Sequence, residues 1–508
     1  MKLDFVRNTK RNLLAGGVAS VAGMVLQFVN RTLFLWLMGP EYLGLNGLFA
    51  SVLGVLSLAE LGFSSAVVYA MYKPIAEDDH ELLCAYLKFF RDVYRWIGTA
   101  ILVLGLCLLP FVPRLVHGGV PEGLDLRLLY LIHLANTAAS YFLFAYRGSI
   151  LHAYHRGDLL VNMTTAMKFA QYFTVMAILL LTRNYYHYVL ATVAFTVISN
   201  FLILRLVRRH FPDLVPRGRL AEWRRKAVVA DVKAIFMHKV GGTITGSSDN
   251  LLISWALGLV AVATYGNYFY VMSAVAGFVG VLNGATTAGF GNKIHTESRE
   301  TTFRLFMKAN RMMMIATLWS AGVMTALYQP FIEVWTRNDP AMMRHFQTPV
   351  LMVVFFFVNM SRQMLLSVKT AAGLWTHDRW KPIVAGVANL AISIALVEWL
   401  PEEWKLDGVI TGTIASILLI QIPWETHVLF TEVFSVEQKH RYWLEQTGFA
   451  GLAVWLCGGA WLAGNAVVAE GPVGFVLKGV AAAGCATAVL LLLFRQDCLD
   501  LLGVLRRK

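Results

Sequence analysis

Apolar stretches of about twenty residues, the length that crosses a hydrocarbon core of about 30 Å, recur from Leu13 almost to the C-terminus. Read as helices, they fall near 13–38, 44–72, 92–113, 126–150, 161–182, 186–207, 232–257, 259–285, 303–328, 349–372, 381–400, 408–430, 447–468 and 472–494. Little chain is left for a soluble domain, so the expected fold class is an all-α polytopic membrane protein of about fourteen transmembrane helices. Composition agrees: 57% of the residues are hydrophobic and 15% charged, against about a quarter charged in soluble chains. The first stretch is about 26 residues behind Lys2, Arg7, Lys10 and Arg11, too long for a signal-peptide core, and is expected to be retained.

Basic residues orient such a chain, because Lys and Arg concentrate in loops left inside. With the N-terminus inside, about 33 of the 44 Lys and Arg residues lie on that side and about 7 outside, so both termini are expected to be cytoplasmic. The formal charge of +13 comes from these loops, with no separate basic domain, and no nucleic-acid partner is expected. The cysteines (Cys84, Cys107, Cys457, Cys485, Cys498) lie in spans or on the inner side without metal-ligand spacing. No phosphate-binding loop, zinc-protease motif or nucleophile elbow occurs. Outer loops are short, the longest about twenty residues from Gln329 to Thr348, which leaves no outer domain for catalysis. The chain therefore reads as a transporter that needs no bound cofactor, with coupling to a proton or sodium gradient left open.

The longest interruption, Arg205 to Lys226, follows the sixth span and is rich in Arg and Pro. An even number of spans before it makes a second six-helix block parallel to the first, two lobes facing one cavity. The expected organisation is an N-terminal lobe over 1–207, a basic linker over 208–231, a C-terminal lobe over 232–430, and an accessory helix pair with a tail over 431–508. Weak similarity between the halves supports this. Gly16, Ser20, Gly23, Gln27 and Arg31 share one face of span one, as Lys239, Gly242, Gly246, Asp249 and Asn250 do in span seven. Asn30-Arg31 precedes Gly39 by the same eight to nine residues that separate Asp249-Asn250 from Gly258. Span four carries Asn136, Ser140 and Arg147 on one face, and span ten carries Asn359, Arg362 and Lys369. The last two spans have almost no buried polar residues.

A charged side chain in a span usually faces protein or water and marks a pathway. Arg31, Arg147, Lys239, Arg362 and Lys369 form a possible ladder of positive charge, with Gln27, Asn30, Asn250 and Asn359 as polar neighbours. Two readings are open: a water-filled cavity that binds an anion, with Arg forking onto phosphate or carboxylate oxygens, or snorkelling and internal ion pairing. The second applies most readily to Arg147, Lys168 and Lys369, near the inner boundary. Glu60 and Asp249 stand out as buried carboxylates that either couple to an ion or neutralise a neighbouring Arg. His133 and His152 flank span four and read as interfacial side chains; Trp and Tyr near the span ends read as belt anchors.

Arg31 to Glu77, including G-P-E-Y-L-G-L-N-G-L-F (39–49), L-S-L-A-E-L-G (56–62) and Y-K-P-I-A-E (72–77), resembles the opening of bacterial polysaccharide flippases. These belong to the multidrug/oligosaccharidyl-lipid/polysaccharide exporter superfamily. The second half continues the resemblance in H-K-V-G-G (238–242), S-D-N-L-L-I-S (248–254), Y-G-N-Y (265–268), G-F-G-N (289–292), P-F-I-E-V-W (330–335), A-G-L-W-T-H-D-R-W-K-P-I (372–383) and D-G-V-I-T-G-T (407–413), so that about residues 1–435 are covered. Gly266, where Ser is usual, and Thr336, where Gly is usual, depart from the pattern. The resemblance implies an undecaprenyl-diphosphate-linked glycan as substrate, flipped from the cytoplasmic to the periplasmic leaflet of the inner membrane by alternating access. Glycan polymerases and glycosyltransferases of the same pathway would be partners. The alternatives are a cation-coupled multidrug exporter of the same superfamily, which predicts acids and aromatics rather than Arg and Lys in its cavity, and a membrane glycan polymerase or ligase, which predicts a large outer loop.

Overall fold

The computed structural model describes residues 23–57, 63–118, 120–121, 123–374, 377–469 and 471–506. Within these residues the chain is helical throughout, apart from turns and short loops. Among the described residues, nine helices are long and apolar enough to cross a membrane, ten if one bent pair is a single span. The chain is therefore a multi-pass, all-α membrane protein. It separates into two compact units, Met1–Ala263 and Thr264–Lys508.

The first unit holds α1 (Gly23–Met38), α2 (Pro40–Leu56), α3 (Phe63–Ala76), α4 (His80–Leu108), α5 (Leu126–Phe142), α6 (Gly148–Ala153), α7 (Gly157–Thr182), α8 (Tyr185–His210), α9 (Glu222–Leu257) and the start of α10 (Leu259–Thr296). Side-chain caps mark several starts: Asp79 accepts from the Leu82 amide, Asp125 from those of Arg127 and Leu128, and Asn184 from those of Tyr186 and His187. α4 packs on α5, α5 and α7 on α8, α3 on α6, and α2 on α9. Residues 222–231, expected in the linker, are helical and run straight into α9.

Span four departs from the expected single helix. α5 and the segment ending at α6 meet at 41°, so the uniform periodicity that put Asn136, Ser140 and Arg147 on one face does not hold across the break. A polar side chain supports the opening. Asn200 of α8, 4% exposed, accepts a hydrogen bond from the freed Phe144 amide at 3.3 Å and donates to the Thr196 carbonyl at 2.9 Å.

The second unit holds the rest of α10, then α11 (Arg299–Trp335), α12 (Gln347–Ser361), α13 (Gln363–Ala371), α14 (Lys381–Trp399), α15 (Lys405–Ser416), α16 (Ile422–Glu432), α17 (Val436–Asn465) and α18 (Gly471–Arg506). α11 is the spine, packed on α12, α17 and α18. Met314, Ile315 and Leu318 of α11 form one apolar cluster with Phe449, Leu456, Ala486 and Leu490, which ties the C-terminal hairpin to the unit. Its contact is less apolar than expected. Gln446 of α17, 8% exposed, donates to Asn310 of α11 at 3.1 Å, and Trp319 donates to Thr487 at 3.0 Å. Between α15 and α16 the helix widens into a π turn over Ile417–Gln421, just before Pro423, which has no amide hydrogen to donate.

Candidate functional site

The two matched corners noted in the sequence share one backbone conformation. Gly39, before α2, has φ 98° and ψ 172°; Gly258, between α9 and α10, has φ 84° and ψ −176°. Only glycine adopts this region readily. Around these corners α9 is held to its neighbours in the first unit by buried polar contacts. Asn250 donates to the Ser51 hydroxyl at 3.0 Å, and Ser254, fully buried, donates to the Leu115 carbonyl at 2.7 Å and accepts on its own carbonyl from the His117 amide at 3.1 Å. A Cβ on Gly44 would lie 1.9 Å from the Leu259 carbonyl oxygen, and one on Gly258 2.6 Å from that of His117. Gly44 in the motif at 39–49 thus lets two backbones touch, while Asn250 and Ser254 in the motif at 248–254 hold α9 to its neighbours by hydrogen bonds. Gly44→Val is expected to force α2 away from the Leu259 backbone, with a loss of thermal stability of about 2 kcal/mol or more, measurable by unfolding of the purified variant in detergent. An unchanged melting temperature would refute the close approach.

The expected cations divide between the units. In the first, Arg31 on α1 is half-buried and donates to the Ala263 carbonyl at 3.5 Å; the neighbouring Asn30, 8% exposed, donates to the Tyr188 hydroxyl at 3.4 Å. Gln27 is exposed, and Asp249 is buried at 4% exposure. Glu60 lies outside the described residues, as does the side chain of Lys239 on α9. Lys168 is exposed.

Arg147 differs from these. It follows the break in span four, at the start of α6, and is 5% exposed. Its Nε and Nη1 atoms are buried with no hydrogen-bond acceptor among the described residues, and its guanidinium lies 5.9 Å from the centre of the Tyr146 ring. A buried cation without an anionic partner is costly, and two free N–H directions on a planar fork suit an oxyanion.

In the second unit Arg362 and Lys369 sit in a chain of buried ion pairs. Arg362, at the joint between α12 and α13, donates Nε to Glu425 Oε2 at 3.1 Å and Nη2 to Oε1 of the same carboxylate. Lys381 bridges Glu425 at 2.5 Å and Asp378 at 3.0 Å, and Lys369 closes the chain on Asp378. Asp378, Glu425, Lys369 and Lys381 are each 4% exposed or less. Three cations face two carboxylates, so the network keeps one positive charge in excess. Asn359 is half-buried on α12, where its carbonyl accepts from Gln363 at 3.3 Å.

Glu425, Asp378 and Lys381 are absent from the sequence-based set, and the choice of Glu60 and Asp249 as the clearest buried carboxylates overlooked Glu425. A signal for it existed. Glu425 lies in the apolar run I-L-L-I-Q-I-P-W-E-T (417–426) within the twelfth expected span, where an ionisable group marks a functional or paired position.

The two units together make a helical membrane protein with the fold of the multidrug/oligosaccharidyl-lipid/polysaccharide (MOP) superfamily. An inward closed structure of the lipid II flippase MurJ is similar over 95% of this chain and 99% of its own, with TM-score 0.64 and 14% identity. An inward-facing multidrug resistance MATE family transporter of that superfamily matches 81% of this chain and 96% of its own, with TM-score 0.63 and 15% identity; an outward-facing MATE structure gives 82%, 94%, 0.52 and 15%. No curated protein matches the chain. The sequence profile of polysaccharide biosynthesis proteins matches residues 9–287, more than half of the chain, and the chain belongs to that family.

Proposed function

We propose that this protein is a flippase that moves an undecaprenyl-diphosphate-linked oligosaccharide from the cytoplasmic to the periplasmic leaflet of a bacterial inner membrane. The family and a fold shared with a lipid II flippase support the class of reaction. The observation that carries the substrate class is Arg147, a buried guanidinium with two N–H directions unmatched by acceptors among the described residues. A diphosphate is the part of a lipid-linked glycan that most resists the bilayer, and it is the ligand such a fork binds best. Arg31, with Lys239 beside it in the expected ladder, extends the positive charge of the first unit, and the Arg362–Lys369 network gives the second unit an excess positive charge of its own.

In this reading 1–207 and 232–430 act as two lobes in alternating access, both termini lie in the cytoplasm, and Asp249 and Glu60 are the residues for coupling to a proton or sodium gradient. The membrane partners are the glycosyltransferases and polymerase of the same glycan pathway. Depletion of the protein in its host, followed by mass spectrometry of lipid-linked sugars, is expected to reveal one accumulating diphosphate-linked glycan on the inner leaflet. No accumulation would count against flipping.

A further inference from the structure

We propose that a cationic cavity at one end of α11, α17 and α18 binds the headgroup of an acidic glycerophospholipid. The cavity is about 320 Å³. Arg304, Lys308 and Arg311 line it from successive turns of α11, Arg441 enters from α17, and Asp497 from α18. Like charges three and four residues apart on one helix face repel, so this row costs the helix stability unless an anion sits against it. Internal carboxylates meet only part of that need. Two acids, Glu445 at 2.7 Å and Asp497 at 3.6 Å, contact Arg311. Arg304 and Arg441 are exposed and have no carboxylate within ion-pair distance among the described residues.

Two features favour a lipid over a soluble anion. The cavity lies beside apolar surface: on α18 Leu492 is 84% exposed and Leu493 58%, just before Gln496 and Asp497 of the lining. A break in α18 at Phe494, with φ −131° and ψ 39°, separates that lipid-facing run from the polar residues. A headgroup phosphate among the arginines therefore has acyl chains placed along α18. The second is position. These helix ends lie on the side where basic residues concentrate, the leaflet in which basic pockets between helices hold anionic headgroups. The proposal rests on that orientation but not on the identity of the transported glycan, so it stands or falls separately.

The test uses the full-length protein in phosphatidylcholine nanodiscs containing equal amounts of phosphatidylglycerol and phosphatidylethanolamine, analysed by native mass spectrometry for retained lipid. Wild type is expected to retain phosphatidylglycerol over phosphatidylethanolamine by about tenfold, and the double variant Arg304→Ala, Arg441→Ala to lose about that preference. Both side chains are exposed, so the variant should melt at the wild-type temperature, and that measurement separates lost binding from lost folding. Equal retention of the two lipids, or an undiminished preference in a folded double variant, overturns the site. Displacement of the lipid by millimolar inorganic phosphate would assign the cavity to a soluble anion and overturn the lipid reading as well.

Discussion

Replacing Arg147 by Met is expected to raise the stability of the protein while abolishing glycan export. The two effects have one cause. Arg147 is 5% exposed, and two of its nitrogens find no acceptor among the described residues, so that among these residues its charge meets the Tyr146 ring and no carboxylate. A side chain of similar length and no charge removes the cost of that burial, which for a buried ion without an anionic partner is on the order of a few kcal/mol. The substrate loses its fork at the same time. Export measured by surface glycan should fall at least tenfold at equal membrane abundance, while thermal unfolding in detergent shifts upward. Arg147→Lys should recover export only in part, because an ammonium cannot make two parallel bonds to a phosphate. A lower melting temperature for Arg147→Met would show that the guanidinium serves the fold, and the substrate assignment would go with it.

The opposite signature is expected at Glu425. Its carboxylate is 1% exposed and shared by Arg362 and Lys381. Glu425→Gln leaves three buried cations facing Asp378 alone, and loss of one partner from a buried network costs about 3–5 kcal/mol. The variant should be scarce in the membrane and melt well below wild type. Adding Lys381→Met restores the original excess of one cation and should recover part of the loss, a coupling that a double-mutant cycle reads directly. Independent, additive effects of the two changes would dissolve the network as a unit. Arg147 and Arg362 both lie at helix breaks, yet they are expected to answer to mutation in opposite ways, since among the described residues Arg362 has a carboxylate acceptor and Arg147 has none.

Much of the architecture was legible in the chain. Apolar runs are local, and each must be about one membrane thickness long, so the expected spans 161–182, 186–207, 381–400 and 408–430 coincide closely with α7, α8, α14 and α15 to α16, while 447–468 and 472–494 overlap the longer helices α17 and α18. The corners were legible for another reason. Gly39 and Gly258 occupy a backbone region closed to other residues, and such a constraint is written into the residue itself. The equal spacing from Asn30-Arg31 and Asp249-Asn250 to those glycines supports a repeat between the halves, and the shared backbone conformation of the two glycines is what the structure adds.

The site was legible only as an inventory of charges. Periodicity places a residue on a helix face while the helix is continuous, and the break before Arg147 ended that inference because its support, Asn200, comes from a helix two spans later. Partner choice was hidden in the same way: Arg362 and Glu425 are 63 residues apart, and no local pattern joins them. The sequence alone determined that the chain crosses the membrane many times, turns at Gly39 and Gly258, and carries a surplus of positive charge inside its spans. Only the tertiary structure decided which of those charges are neutralised. The pairing of a buried ion depends on what lies within about 4 Å of it in space, and the chain's order does not specify that distance.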